Sequence, residues 1–254
     1  MIFEAAWLNA GFWSLLVSFG LVAGAAFGVY GPLEHRGIAR VMAIGAGLLI
    51  AAATLELVSH AVRHAGPIQT AIAFASGAAV YSLINGWLSA RAAKHRKRCG
   101  VCVQQPTEGS VPGSGLAIAM GTLLDGIPEG AVLGLEAARI GSPSWTVLAA
   151  FVLGNFAKAT SSAAGMWVAG RSNRYIFTLW IAVAAAITLV AAASAALSGS
   201  MPSGMESLCN AFAAGALIAM IVETMIPEAA HDTPPFNGLI AAIGFVVIVL
   251  LLSH

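Results

Sequence analysis

Charge is what this chain lacks. Only 9% of its 254 residues are Asp, Glu, Lys or Arg, against about 25% in an ordinary soluble domain. A chain so poor in charge cannot cover its own surface against water. The few charges nearly cancel: 12 Lys and Arg against 11 Asp and Glu leave +1, so nothing attracts a nucleic acid and none is expected as a partner. Three cysteines, Cys99, Cys102 and Cys209, are too few for a disulfide framework. No His-Glu-x-x-His motif occurs, and Ser114, Ser161 and Ser162 have no histidine at membrane depth to activate them. The sequence therefore carries no enzyme signature and calls for no prosthetic group.

What is present is hydrocarbon. Apolar residues make up 59% of the chain and mean hydropathy is +0.86. At roughly 20 residues per crossing, the apolar runs number eight: about 9–31, 38–60, 67–90, 114–139, 144–170, 175–198, 206–228 and 236–253. The expected fold is all-α, a single transmembrane domain of eight helices whose first partner is the lipid bilayer. Gly31-Pro32, Gly66-Pro67, Ser142-Pro143, Met201-Pro202 and Pro234-Pro235 punctuate the gaps, where proline ends or starts a helix without breaking one. The first run is too long for a signal peptide and is flanked by Glu4 instead of a cation, so it reads as a true span.

Residues 91–113 form the one sizeable loop, with Arg91, Lys94, His95, Arg96, Lys97 and Arg98 followed by a Gly/Pro/Ser-rich stretch. Cationic loops stay in the cytoplasm. With both termini outside, the inner loops hold nine Lys and Arg, the outer loops hold Arg63 and Arg139, and Lys158 lies within a span. The expectation is a multi-pass protein of the cytoplasmic membrane with a basic cytoplasmic loop. Cys99 and Cys102 in that loop supply two thiolates where structural zinc takes four ligands, and they read as a reduced surface pair or else as a metal-collecting or dimer-shared site.

The chain also resembles itself. A shift of 168 residues lays Gly47 on Gly215, Leu49 on Leu217, Ile50 on Ile218, Ala51 on Ala219, Ala61 on Ala229 and Pro67 on Pro235. Span 2 runs outward and span 7 inward, so the repeat is an inverted one, 3 + 2 + 3. Inverted repeats accompany transporters that alternate access around a midplane site.

Ionisable side chains at the bilayer centre cost several kcal/mol, about 2.5–3.5 even on insertion scales, and mark function by default. Span 4 carries Asp125 and Glu129 four residues apart, hence on one helical face, with Glu136 further along. Pro128 removes the helical partner of the Leu124 carbonyl, and Gly126, Gly130 and Gly134 form a small-residue stripe for close helix approach. Hard oxygen ligands beside a freed carbonyl describe a cation site or a proton relay, or else a proline kink with hydrogen-bonded acids. Span 7 ends in Glu223-Thr224-Met225-Ile226-Pro227-Glu228, then His231 and Asp232. Glu228, His231 and Asp232 share a face with metal-ligand spacing, although a solvated helix end explains His231 and Asp232 equally well. Glu56, His60 and His64, again spaced by four near the outer end of span 2, read as an entrance relay or, for the histidines, as ordinary interfacial side chains at a helix end.

At Asp125-Gly-Ile-Pro-Glu-Gly130 and Glu223-Thr-Met-Ile-Pro-Glu-Ala229 the chain resembles the ZIP (Zrt/Irt-like) family of divalent metal transporters, and the resemblance extends over nearly its whole length. It implies a ZIP-like bundle, usually dimeric, carrying zinc, iron or manganese through a centre built from spans 4 and 5. Together with the residue reading, this makes Asp125 and Glu129 the core metal ligands and Asn155 and Glu223 supporting ones, while Glu56, His60, Glu228, His231 and Asp232 are read from their spacing alone as an entrance or exit relay. The motif is altered here. Asp125 stands where the family has histidine and Gly126 where it has asparagine. In span 5, Gly154, Asn155, Ala157 and Lys158 stand where the family reads His-Glu-x-Pro-Glu.

Lys158 brings an ammonium to the place the resemblance gives to a metal. Buried, it must pair with Asp125 or Glu129. Three readings follow. Lys158 swings aside or gives up its proton and metal binds; or the pair replaces the metal in a transport-inactive relative or sensor; or Lys158 couples protons to transport of another substrate.

Overall fold

The computed structural model describes residues 5–31, 35–91, 114–202, 204–232 and 236–252; the basic run 92–113 and the side chains of His231 and Asp232 lie outside the described residues. The described chain is all helix: α1 (Ala6–Tyr30), α2 (His35–Ala51), α3 (Ser59–Ala65), α4 (Pro67–Arg91), α5 (Ser114–Ile140), α6 (Trp145–Val168), α7 (Asn173–Ser198), α8 (Met205–Met220), α9 (Ile226–Asp232) and α10 (Asn237–Leu251). Two π-helical segments, Ala52–Val58 and Ile221–Met225, join α2 to α3 and α8 to α9 without a break.

Six of the resulting runs are long and apolar enough to cross a membrane: Ala6–Tyr30, Arg36–Ala65, Pro67–Leu88, Trp145–Val168, Asn173–Ser198 and Met205–Ala230. They are those of an integral multi-pass membrane protein. The burial pattern agrees. Leu15, Phe19, Ile72, Leu83, Leu189 and Leu250 point outward, whereas Asn9, Asp125, Glu129, Asn155 and Lys158 are buried. Water would not tolerate that surface; hydrocarbon requires it.

The sequence sets the helix ends locally. Ser144 and Ser172 cap α6 and α7, their hydroxyls accepting from the backbone N–H of Val147 and Tyr175. Gly66 takes φ +82° between α3 and Pro67, and Gly141 takes φ +86° after α5, a conformation that side chains with a Cβ resist. Pro128 sits inside α5, which runs unbroken through it.

Helix directions can be read from close contacts. Side chains added at Gly20, Gly24 and Gly28 of α1 would run in turn into the backbone of Val152, Phe156 and Thr160, so α1 and α6 lie side by side in the same sense. Gly126, Gly130 and Gly134 of α5 meet Ile187 to Ala191 of α7 in the same way. Asn9 near the start of α1 donates to the carbonyl of Gly141 just beyond α5, at 2.5 Å. The α1/α6 pair therefore runs opposite to the α5/α7 pair.

The internal resemblance has a structural counterpart. The same shift of 168 lays α1 on α7, α2 on α8 and α3 on α9, and it puts Ile221–Met225 within Ala52–Val58. Packing follows the same exchange. Gly47 of α2 abuts the Ala241 carbonyl of α10, and its counterpart Gly215 of α8 abuts the Phe74 carbonyl of α4. The reverse contacts also match, Gly244 on Ile44 and Gly77 on Phe212. Because α1 and α7 are antiparallel, the operation relating the two halves turns one upside down relative to the other.

Candidate functional site

The site forms between α5 and α6, with α4 alongside. The glycine stripe of α5 is taken up by α7, with Gly130 close enough that a Cβ would stand 2.8 Å from the Ile187 carbonyl. Asp125 and Glu129 project roughly a quarter turn away from that stripe, at about 100° per residue, and so face the other helices. α6 is buried along nearly its whole length. Gly154 of α6 packs against Leu49 of α2, and Gly45 of α2 packs against Ala157. Lys158 therefore has nowhere to reach water.

Its ammonium meets Glu129. Nζ donates to Oε1 at 2.5 Å, with the two side chains 1% and 0% exposed. Measured from the end where α5 passes into α6, Glu129 lies about 17 Å and Lys158 about 20 Å along the helix axes. Both lie close to mid-depth of a hydrocarbon core of about 30 Å. The second Glu129 oxygen is buried without a hydrogen-bond partner, as are both polar atoms of Asn155. Asn155 stands within side-chain hydrogen-bonding range of Glu129, but no hydrogen bond of full geometry closes between them.

Asp125 lies one turn away. Tyr81 of α4, itself 2% exposed, donates its hydroxyl to Asp125 Oδ1 at 2.6 Å, and the two carboxylates sense each other's charge. Sequence reasoning missed Tyr81. A lone tyrosine in an alanine-rich span carries no spacing signal, and only the fold brings it to the acid.

Glu223 does not join this group. It stands on an exposed face in the π-helical segment Ile221–Met225, where Ser82 Oγ and Asn85 Nδ2 of α4 donate to its two oxygens, the latter at 2.5 Å. Of the four residues assigned as ligands, Asp125, Glu129 and Asn155 are brought together and Glu223 is held elsewhere. Among the described residues no three His, Cys, Asp or Glu side chains gather closely enough to hold a metal ion.

The remaining acids collect at the α5–α6 connection. Ser144 and Thr146 hydroxyls donate to Glu56 Oε1, and the Ser144 backbone N–H donates to Glu136 Oε2 at 3.2 Å. The N-terminus of α6 thus satisfies two carboxylates, an arrangement its helix dipole favours. Beyond them a pocket of about 390 Å³ is lined by His60, His64, Arg139, Glu206 and Ser207 with neighbouring backbone. His60 and His64 stack there with ring centroids 4.1 Å apart. Glu228 is half-buried on α9, apart from the Lys158 group.

Compared with known proteins, the chain matches no protein-family model and no curated sequence.

Proposed function

We propose that the chain is an integral membrane transporter of divalent metal cations, zinc or a similar ion, with a ZIP-like build. On this reading α5 and α10 join the six apolar runs as the fourth and eighth crossings. The halves form a 3 + 2 + 3 inverted repeat, and both termini face outside the cytoplasmic membrane. Several features support it. α5 spans about 40 Å although it carries acids, the two halves exchange their packing contacts, and α1 and α7 run in opposite senses.

One observation carries the reading. At mid-depth the buried Glu129 pairs with the Lys158 ammonium, the buried Asp125 stands one turn away under the Tyr81 hydroxyl, and Asn155 and the second Glu129 oxygen lie beside them without a hydrogen bond of full geometry. Buried charge of this kind is costly and is retained where it acts. Oxygen donors without partners are what a hard cation needs. Lys158 is the gate: cargo reaches Glu129 only when the ammonium moves off it or gives up its charge, because the two cations cannot share one carboxylate.

A second reading has its own observation. The Lys158–Glu129 pair is closed, and no third acid or histidine stands with it among the described residues. Read so, the pair is a permanent substitute for the metal, and the protein is a transport-inactive relative or a sensor.

Zinc uptake into proteoliposomes separates the two. Wild-type flux that is lost in Glu129→Ala supports transport. A silent wild type that gains flux in Lys158→Glu supports the substitute. Flux indifferent to both variants removes the midplane site from either account.

A further inference from the structure

The pocket of about 390 Å³ is lined by His60, His64, Arg139 and Glu206, none of which belongs to the Lys158 group. It lies where helices end. α3 carries the two histidines, α5 carries Arg139 in its last turn, and α8 carries Glu206 in its first. Apolar spans end at the head-group layer of a bilayer. Trp145, which starts α6 at this same end of the bundle, is exposed, and tryptophans concentrate at that boundary.

The polar groups of the pocket are unmet. Both ring nitrogens of His60 are shielded from solvent and lack a hydrogen-bond partner, an uncommon state for a buried polar group. His64 spends its Nδ1–H on the His60 carbonyl at 2.8 Å. Arg139 and Glu206 carry opposite charges in one pocket, yet among the described residues neither makes an ion pair or a side-chain hydrogen bond. Glu136, one turn before Arg139, is engaged instead by the Ser144 backbone N–H. The pocket thus holds two poles apart. A bare metal ion does not fit it. The imidazoles stack with centroids 4.1 Å apart and planes 23° from parallel, so their in-plane lone pairs run side by side and do not converge. A simple anion would answer Arg139 and be repelled by Glu206. A ligand that carries both a phosphate and an ammonium answers both.

We infer that this pocket is a lipid site, taking the head group of a phospholipid with a primary ammonium, of the phosphatidylethanolamine class. The phosphate lies against the Arg139 guanidinium, whose fork suits phosphate oxygens, and accepts a hydrogen bond from His60. The ammonium donates to Glu206. The volume lies within the range of small-molecule sites, about 300–1,000 Å³. Ile140 and Met205, next in sequence to Arg139 and Glu206, are exposed and offer the acyl chains an apolar rim. One head group then joins the ends of α3, α5 and α8, so its occupancy shows as stability of the bundle. This site is independent of the transport reading.

The test uses full-length protein in detergent, stripped of co-purified lipid. It is titrated with dioleoyl phosphatidylethanolamine, phosphatidylcholine or phosphatidylglycerol in mixed micelles. Native mass spectrometry counts the bound lipid, and thermal unfolding follows the stabilisation that a ligand of the folded state must give. Wild type is expected to hold one phosphatidylethanolamine about tenfold more tightly than either other lipid, because phosphatidylcholine has no N–H to donate and phosphatidylglycerol has no ammonium. Arg139→Gln weakens phosphatidylethanolamine binding about tenfold through the lost charge-assisted bonds. Glu206→Gln brings phosphatidylethanolamine to within about twofold of phosphatidylcholine, since only the ammonium contact is lost. Equal affinity of wild type for the three lipids overturns the site, as does binding that Arg139→Gln leaves unchanged. Should Arg139→Gln fold poorly, Glu206→Gln decides alone: a head-group preference as large as in wild type overturns the site. Free phosphoethanolamine at millimolar concentration checks the source. It is expected to leave the unfolding temperature unchanged, and a shift as large as the lipid's overturns a lipid occupant.

Discussion

Lys158 Nζ stands 2.5 Å from Glu129 Oε1, and neither side chain is more than 1% exposed, so each charge is compensated chiefly by the other. A buried pair of this kind has an asymmetric energetics. Removing both partners together is often nearly neutral, whereas removing one strands the other. The site is therefore intolerant of single changes and far less sensitive to loss of the pair as a unit.

Lys158→Met should accordingly destabilise the protein by about 3–5 kcal/mol, and Glu129→Leu by a similar amount. The double variant should lose far less than the two added together, with a coupling of at least about 2 kcal/mol. Denaturant unfolding in a fixed detergent measures all three. Additive losses would mean that the ammonium and carboxylate do not depend on each other.

Tyr81 tests whether Asp125 is held or free. Tyr81→Phe keeps the ring packed between α4 and α5 and deletes only the hydroxyl that donates to Asp125 Oδ1. Losing a donor from a buried acceptor costs about 1–3 kcal/mol. If Asp125 also contacts cargo, zinc half-saturation rises in this variant more than the maximal flux falls. A variant as stable as wild type would show that Asp125 has full compensation from other groups.

These residues show what sequence could and could not deliver. The apolar runs and their Gly-Pro punctuation laid out the helices because hydrocarbon leaves the backbone no other solution. Asp125, Glu129 and Lys158 declared themselves because charge is so rare here that each instance needs a reason. Tyr81 and the Ser82–Asn85 cradle of Glu223 did not, because ordinary polar residues in a span become partners only through tertiary packing. The π-helical segments were equally hidden. Pro227 hinted at one, but Ala52–Val58 contains no proline or glycine that would mark a change of helix type. Glu223 was grouped with the midplane acids by motif spacing, which says nothing about the direction a widened turn gives a side chain.

The repeat makes a paired prediction. Gly47 and Gly215 let α2 approach α10 and α8 approach α4 so closely that an added methyl would overlap a backbone carbonyl. Gly47→Ala and Gly215→Ala should each cost about 1–3 kcal/mol through the overpacking they force. Gly86→Ala, with nothing within 4 Å of the new methyl, should be neutral or should stabilise by up to about 1 kcal/mol through helix propensity. Thermal unfolding of the three variants under one condition decides it. Unequal costs at positions 47 and 215 would show that the two halves do not share a packing plan.

The last prediction concerns the tie between the opposed helix pairs. The Gly141 carbonyl, left over at the end of α5, accepts from Asn9 Nδ2 at 2.5 Å and from Trp13 Nε1 at 3.3 Å. Two donors on one acceptor do not contribute equally: the amide is closer and buried, and it also reaches Ala137 O at 3.5 Å. Asn9→Leu should therefore cost about 1–3 kcal/mol, and Trp13→Phe distinctly less of hydrogen-bond origin, because Asn9 still satisfies the carbonyl. Their combination should cost more than the sum, since only then does the acceptor lose both partners.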